Sequence, residues 1–265
     1  MRRLALFAVL LLLAACNGDK KAPVQIWTST EVAGTGLPQL LAKRFSAESG
    51  VATSLHVMEE ATLRARSFGK QPDVVITNDA ELLAKLRPNA RLVDTFAHDD
   101  YLLVGPSFDP ARVRTAATAA EAFGRIVKRD RPFCSATDVP RYRAREAKIW
   151  AAAAIDPRKE DRRYRLCRGN EASLLQEIAR LHAYAIVDAA AWREAGPPKN
   201  VAVLLEGKPL LRNDYLIVLL TTRKATSAEW FLEWVMSYRG LETVQQYRIE
   251  GRKRFFGPAE DALTH

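Results

Sequence analysis

The chain has 265 residues, 48% of them hydrophobic and 27% charged, with 13 glycines and 13 prolines. That balance excludes a disordered tail, a fibrous repeat and a multi-span membrane protein, and the length allows one large domain or two lobes with real cores. Lysine and arginine number 40 against 31 acids, a net charge of +9, which suggests an anionic partner without choosing among nucleic acid, a membrane surface and a small anion.

Arg2 and Arg3 precede an apolar run from Leu4 to Leu13 that is too short to span a bilayer, so residues 1–15 read as an export signal. The junction Leu13-Ala14-Ala15-Cys16 resembles the lipobox of bacterial lipoproteins. That resemblance implies cleavage before Cys16 and lipidation of its thiol, with residues 16–23 as a short tether. An ordinary secretory signal that happens to contain a cysteine is the alternative. Processing removes Arg2 and Arg3 and leaves a net charge of +7. Export argues against nucleic acid as a partner. It also leaves Cys134 and Cys167 as two pairable thiols in an oxidising compartment.

Downstream, strand and helix signals alternate. Val24 to Trp27 is a β-type run that ends in the turn Thr28-Ser29-Thr30. Leu37, Leu40, Leu41 and Phe45 have helical spacing, and Gly50 stands as a stop. Residues 51–57 read as a strand, 62–68 as a short helix and 73–77 as a buried strand. This alternation predicts an α/β architecture with mostly parallel sheets, in which ligands sit beyond the carboxyl ends of strands, where the Thr28-Ser29-Thr30 turn falls.

Asp100-Tyr-Leu-Leu-Val104 and Asp214-Tyr-Leu-Ile-Val218 are nearly the same pentapeptide. Two common β-type strings can coincide, and two crossover strands linking two lobes would read the same way. Trp230, Phe231, Trp234, Val235 and Tyr238 form an aromatic stripe at helical spacing that reads as core. Leu241, Val244 and Tyr247 continue a second helix, and Phe255-Phe256-Gly257-Pro258 closes the fold.

From about Val24 to Pro258 the chain resembles the tungstate- and molybdate-type periplasmic binding proteins of ABC importers. The resemblance is carried by Thr28-Ser29-Thr30, Pro72-Asp73-Val74-Val75, Asp100-Tyr101 through Gly105-Pro106 and Pro132-Phe133-Cys134-Ser135. Ala183-Tyr184 with Asp188, Leu205-Glu206-Gly207, Asn213-Asp-Tyr215 and Phe256-Gly257-Pro258 follow in order. It implies a two-lobed type II periplasmic-binding-protein fold: lobe one over 24–99 plus 219–265, lobe two over 105–213, and hinge strands at 100–104 and 214–218. Each lobe would be a mostly parallel sheet flanked by helices. It also places Cys134 and Cys167 beside two ligand loops of lobe two, where a disulfide and two buried free thiols are the alternatives.

That family cradles an oxoanion with hydroxyls, backbone N–H groups and one arginine, a sound design because a compact anion needs many short donors. Thr28, Ser29 and Ser135 keep hydroxyls at matching places. Elsewhere the cradle is altered: Met58-Glu59-Glu60 replaces a Gly-Thr-Gly, and Ser135-Ala136-Thr137 lacks the arginine. Pro140-Arg141-Tyr142 replaces a Ser-Gly-Thr, and Arg168-Gly169-Asn170-Glu171-Ala172 a glycine-rich turn. Carboxylates beside a dianion repel it by several kcal/mol in a partly desolvated cleft, so oxoanion specificity is not expected.

The expected ligand-contacting residues are Thr28, Ser29, Thr30, Glu59, Glu60, Ser135, Thr137, Arg141, Asn170 and Asp188. Glu59 and Glu60 could line the cleft or open a helix, where acids suit the dipole. Arg141, Arg143, Arg145 and Lys148 could replace the lost arginine or form a solvated face. Residues 125–168 carry 14 basic and 6 acidic residues, either an anionic-partner patch or a solvated surface. The four histidines have no metal spacing, and no catalytic motif is found, so neither an enzyme nor a metal or cofactor is expected. The sequence therefore predicts a monomeric, lipid-anchored solute-binding protein on the periplasmic side of the bacterial cell membrane. It would close on a small ligand and present it to an ABC permease. An accessory or sensor lipoprotein on the same fold, binding another protein, is the alternative.

Overall fold

Strand β1 (Val24–Ser29) alternates buried and half-buried residues and runs directly into α1 (Thr30–Ala33), because Ser29 caps the helix by accepting from the Val32 N–H at 3.2 Å. Gly36 then takes φ 75° at the start of α2 (Leu37–Ser49), where a Cβ would lie 2.2 Å from the Tyr247 hydroxyl. Leu37, Leu41 and Phe45 line the buried face of α2, which ends on Gly50 at φ 71°. Next come β2 (Thr53–Met58), α3 (Glu60–Ala65), β3 (Val74–Thr77) and α4 (Ala80–Leu86). The short helix thus starts two residues earlier than the sequence pattern suggested, because Glu59 and Glu60 open it. These elements come from a computed structural model that describes residues 22–68, 72–159, 163–220, 226–249 and 251–259. The export signal, Cys16 and the tether as far as residue 21 lie outside the described residues.

The 17-residue strand β4 (Ala90–Pro106) then leaves the first core for a second. That core is built from α5 (Ala119–Lys128), β5 (Phe133–Ala136), α6 (Pro140–Ala152), β6 (Tyr164–Cys167), α7 (Glu171–Leu181), β7 (Ala185–Asp188), α8 (Ala189–Ala195) and β8 (Val201–Leu205). Strand β9 (Arg212–Leu220) returns, followed by α9 (Thr226–Met236), α10 (Tyr238–Gln246), β10 (Arg248–Ile249) and β11 (Arg252–Lys253). The pairs β1–β2, β1–β3 and β5–β6 are parallel, whereas β9 runs antiparallel between β3 and β4, and β4 pairs antiparallel with β7 and β8. The result is a mixed α/β structure in which long antiparallel strands connect two cores.

The apolar clusters divide accordingly. Ile26, Leu41, Phe45, Val74, Ile76, Tyr215, Ile217, Phe231 and Val235 pack in one. Leu102 to Val104, Phe123, Phe133, Tyr142, Trp150, Ile178 and Tyr184 pack in the other, joined by Phe256 from the chain's tail. Each large side chain fully buried in this way contributes about 1.5–3 kcal/mol. The twin pentapeptides sit on neighbouring strands but do not face each other. Residues 214–218 lie opposite the stretch from His98 to Val93, while Tyr101 to Val104 lie opposite Asp188 to Ala185. Of the aromatic stripe, Phe231 and Val235 are buried, with Phe231 and Trp234 against Phe45. Tyr238 is instead exposed, because α9 ends at Met236 and Ser237 caps a new helix. Among the described residues, no helix is long and apolar enough to cross a membrane.

Candidate functional site

Three parallel strands end at one edge of the first core, and their carboxyl ends carry a cluster of polar side chains. Thr28 is fully buried at the end of β1, and its hydroxyl donates to the Ile76 carbonyl at 2.9 Å. Ser29 faces inward as the α1 cap, and the Thr30 hydroxyl donates to Glu59 Oε2 at 3.3 Å. Asn78, just past β3, donates from Nδ2 to Glu31 Oε1 and to Asn213 Oδ1, both at 3.1 Å. Arg64 of α3 lies among Glu60 at 2.5 Å, Glu81 at 3.1 Å and Asp79, which caps α4. Burial pushes the Glu60 carboxyl up, and the neighbouring Glu31 adds to this.

A second cluster comes from α6, α7 and the end of β7. Asp188 caps α8 by accepting from the Ala191 N–H at 2.7 Å, and it also receives Arg141 Nη2 at 2.8 Å and the Tyr142 hydroxyl at 3.1 Å. Arg141 Nη2 reaches Glu171 Oε1 at 2.5 Å as well. Burial alone would raise the Asp188 carboxyl, but the Arg141 charge and the helix-cap bonds win and hold it below its usual range. Arg141 is therefore gripped by two carboxylates and carries no surplus positive charge. Asn170 caps α7 through the Ser173 N–H at 3.0 Å. The Thr137 hydroxyl contacts the Cys167 carbonyl at 3.1 Å and Asp138 at 3.2 Å. Ser135 is fully buried inside the second core, donating to Glu146 Oε2 at 2.7 Å. Cys134 and Cys167 are joined as a disulfide at the paired strands β5 and β6, with Cα atoms 5.6 Å apart.

Helix α6 brings the two clusters together. Its residues 141, 145 and 148 repeat at helical spacing on one face. Arg145 is buried over the Tyr101 ring, 5.0 Å from its centroid, and Lys148 Nζ lies 3.0 Å from Glu31 Oε2 of α1. Burial works against the Glu31 charge, but Lys148 and Asn78 overcome it and hold that carboxyl below its usual range. At the strands joining the cores, buried Asp99 accepts from Asn213 Nδ2 at 2.7 Å and faces Arg254 at 3.5 Å. Burial still pushes Asp99 up despite these partners.

Thr28, Ser29, Thr30, Glu59 and Glu60 are thus gathered on one side, and Arg141 and Asp188 on the other. The hydroxyls of Thr28, Thr137 and Ser135 are already donated to protein groups. Sequence reasoning did not single out Glu31, Asn78, Asp99, Arg254 or Glu146, and it quoted Asn213 for the resemblance without giving it a role. Only Glu31 had a local signal, its place directly after the hydroxyl turn. No group of metal-ligating side chains that could hold an ion occurs among the described residues. The arrangement can bind by closing two polar edges over a solute, and the ion pairs across it must yield or be shared when a ligand enters.

No family model matches the chain. A curated protein described as an ABC transporter anion-binding protein, from Haloferax volcanii, is 23% identical over 168 residues, covering 60% of this chain and 48% of that protein. The chain thus spans about half the length of the curated relative it matches. Among solved structures, the tungstate-binding protein TupA from Desulfovibrio alaskensis G20 is 20% identical, covering 90% of this chain and 100% of that one with a TM-score of 0.61. The LysR substrate-binding domain of a periplasmic protein from Wolinella succinogenes is 21% identical, covering 86% and 100%, with a TM-score of 0.66. The fold is that of the type II periplasmic binding proteins. The sequence resemblance to tungstate- and molybdate-type binders has its structural counterpart in TupA.

Proposed function

We propose that this chain is an extracytoplasmic solute-binding protein, anchored through lipid on Cys16, that captures a small ligand between two lobes for an ABC permease. The reading takes 24–99 plus 219–265 and 105–213 as the lobes and 100–104 and 214–218 as the hinge, with no catalytic step. The carrying observation is that α6 of the second core and α1 of the first meet through Lys148 and Glu31. The relative from Haloferax volcanii supports transport, and its description points to anions. The cleft's own chemistry supports an altered specificity: Arg141, Lys148 and Arg254 each face a carboxylate. A compact dianion would meet neutralised cations there and the added repulsion of Glu59 and Glu60. The ligand is therefore neutral, cationic or larger than a tetrahedral anion.

A thermal-shift screen of the delipidated protein tests this, since a ligand at 100 times its Kd adds about 2.7 kcal/mol. A stabilising small solute is expected. If none stabilises the protein, the accessory or sensor reading replaces transport.

A further inference from the structure

The basic excess of residues 125–168 begins in one concentrated spot. Helix α5 ends in Arg125 and Lys128 with Arg129 as its C-cap, and the spacing of the three puts them on one helix face. Together with Arg112, which precedes the turn Val113–Thr115, and Thr115 within it, they line a pocket of about 460 Å³. All five lining residues are polar, four are cationic and none is an acid. The pocket is held in shape from within. Arg125 Nη1 donates to the Arg112 carbonyl at 2.5 Å and to the Thr115 hydroxyl at 2.6 Å, which ties the turn to the helix. Arg112 takes φ 55°, a left-handed backbone uncommon for a residue with a side chain. The Asp109 carboxylate secures the turn by accepting from the Val113 and Arg114 N–H groups, each at 3.0 Å. Arg125 also pairs with Glu121 at 2.7 Å, so it serves as a strut. Arg112, Lys128 and Arg129 are exposed and, among the described residues, make no ion pair.

Basic residues suit the C-terminal end of a helix, where the macrodipole presents about half a negative charge. That accounts for a fraction of one cation and not for three, the third of which stands on a separate turn. Three unpaired positive charges around one concavity repel one another, and all three gain when an anion enters. We propose that this pocket binds an anion carrying two or more phosphate groups, a soluble polyphosphate or the headgroup of an anionic lipid. The site is separate from the proposed ligand cleft and shares no residue with it. The guanidinium forks of Arg112 and Arg129 match phosphate oxygens bidentately, and the Lys128 ammonium adds a point charge. Cations stand on both walls, helix and turn, so linked phosphates meet all three where a single tetrahedral group meets fewer. No apolar side chain lines the pocket, so charge rather than burial of carbon selects the ligand.

Calorimetric titration of the whole delipidated protein with tripolyphosphate at low salt tests the site. One saturable site is expected, at least tenfold weaker for sulfate. It should weaken at least fivefold in about 1 M salt, where the Debye length falls to about 3 Å. The double variant Lys128→Gln, Arg129→Gln should lose at least tenfold in affinity. Arg158→Gln, Lys159→Gln removes the same charge from exposed positions elsewhere within 125–168 and should stay within twofold of wild type. All four side chains are exposed, so both double variants should melt as the wild type does. No saturable tripolyphosphate binding, equal affinity for sulfate, or an equal loss in the Arg158, Lys159 pair would each overturn the proposal. Once tripolyphosphate binding is established, flotation with vesicles of phosphatidylcholine and cardiolipin separates the two sources. Flotation lost in the Lys128, Arg129 variant assigns the site to a lipid headgroup, and flotation unchanged in that variant assigns it to a soluble ligand.

Discussion

Lys148 Nζ of α6, in the second core, sits 3.0 Å from Glu31 Oε2 of α1, beside the first, so an ion pair links the two cores. Both side chains are about one-third exposed, which places the pair near the surface limit of about 0.5–1 kcal/mol. Lys148→Met should therefore shift the balance of closed and open forms by about two- to fivefold, with no larger effect on unfolding. Small-angle scattering should show a larger radius of gyration for the variant; an unchanged radius refutes a latch. The pH dependence has a definite sign. The Glu31 carboxyl is held below its ordinary 4.5, so the pair's contribution is complete above that value and fades as pH falls through the lower folded value. Acid should open the wild-type protein but not the variant, which has lost the lysine that Glu31 holds.

The Cys134–Cys167 bridge closes a separation of 33 residues. On the loop-entropy model that constraint is worth about 3–4 kcal/mol. A Cys134→Ser, Cys167→Ser double variant should lose about that much in urea unfolding. Thiol titration of the unfolded, unreduced wild type should find both groups blocked. Two free thiols would remove the disulfide, and with it the expected difference between reduced and oxidised protein.

Glu146 carries a different signature. Its folded-state value of about 7 stands above the ordinary 4.5, so the folded protein holds this proton more tightly than the unfolded chain does. Stability should fall as pH rises from about 4.5 to 7 and then level off, a loss of up to about 3 kcal/mol. Glu146→Gln retains an oxygen to accept from Ser135 but has no charge to bury. It should match wild type near pH 4 and exceed its stability by a few kcal/mol at pH 8. Equal stability at pH 8 would mean that the carboxylate is solvated.

Much of this arrangement was legible in the sequence, and what was not has physical causes. The Thr28-Ser29-Thr30 turn at a strand end and the helix stop at Gly50 are local signals. So is the uncertainty over Glu59 and Glu60, which both open α3 and, through Glu59 and Thr30, face the cleft. The basic residues of α6 looked like one group, yet helical phase sends Arg141, Arg145 and Lys148 one way and Arg143 the other. Arg141's partners lie 30 and 47 residues downstream, a distance over which no spacing rule operates. Ser135 matched a cradle hydroxyl by position, but Glu146, one strand-to-helix crossover later, draws it into the core.

Because Glu171 and Asp188 together hold Arg141, wild-type protein should bind tungstate and molybdate weakly or not at all. Sub-micromolar affinity in calorimetry would show that the arginines of the second lobe serve as a cradle after all. Replacing both acids by their amides tests the cause directly. Asp188→Asn still caps α8, since asparagine caps about as well as aspartate, and Glu171→Gln keeps a hydrogen-bonding side chain beside Arg141. The double variant releases one full positive charge and removes two negative ones from the cleft. Oxoanion affinity should rise at least tenfold, about 1.4 kcal/mol, and should fall again as salt increases because the gain is electrostatic. An unchanged affinity would show that donor geometry, the loss of glycine-borne N–H groups rather than charge, is what excludes the oxoanion.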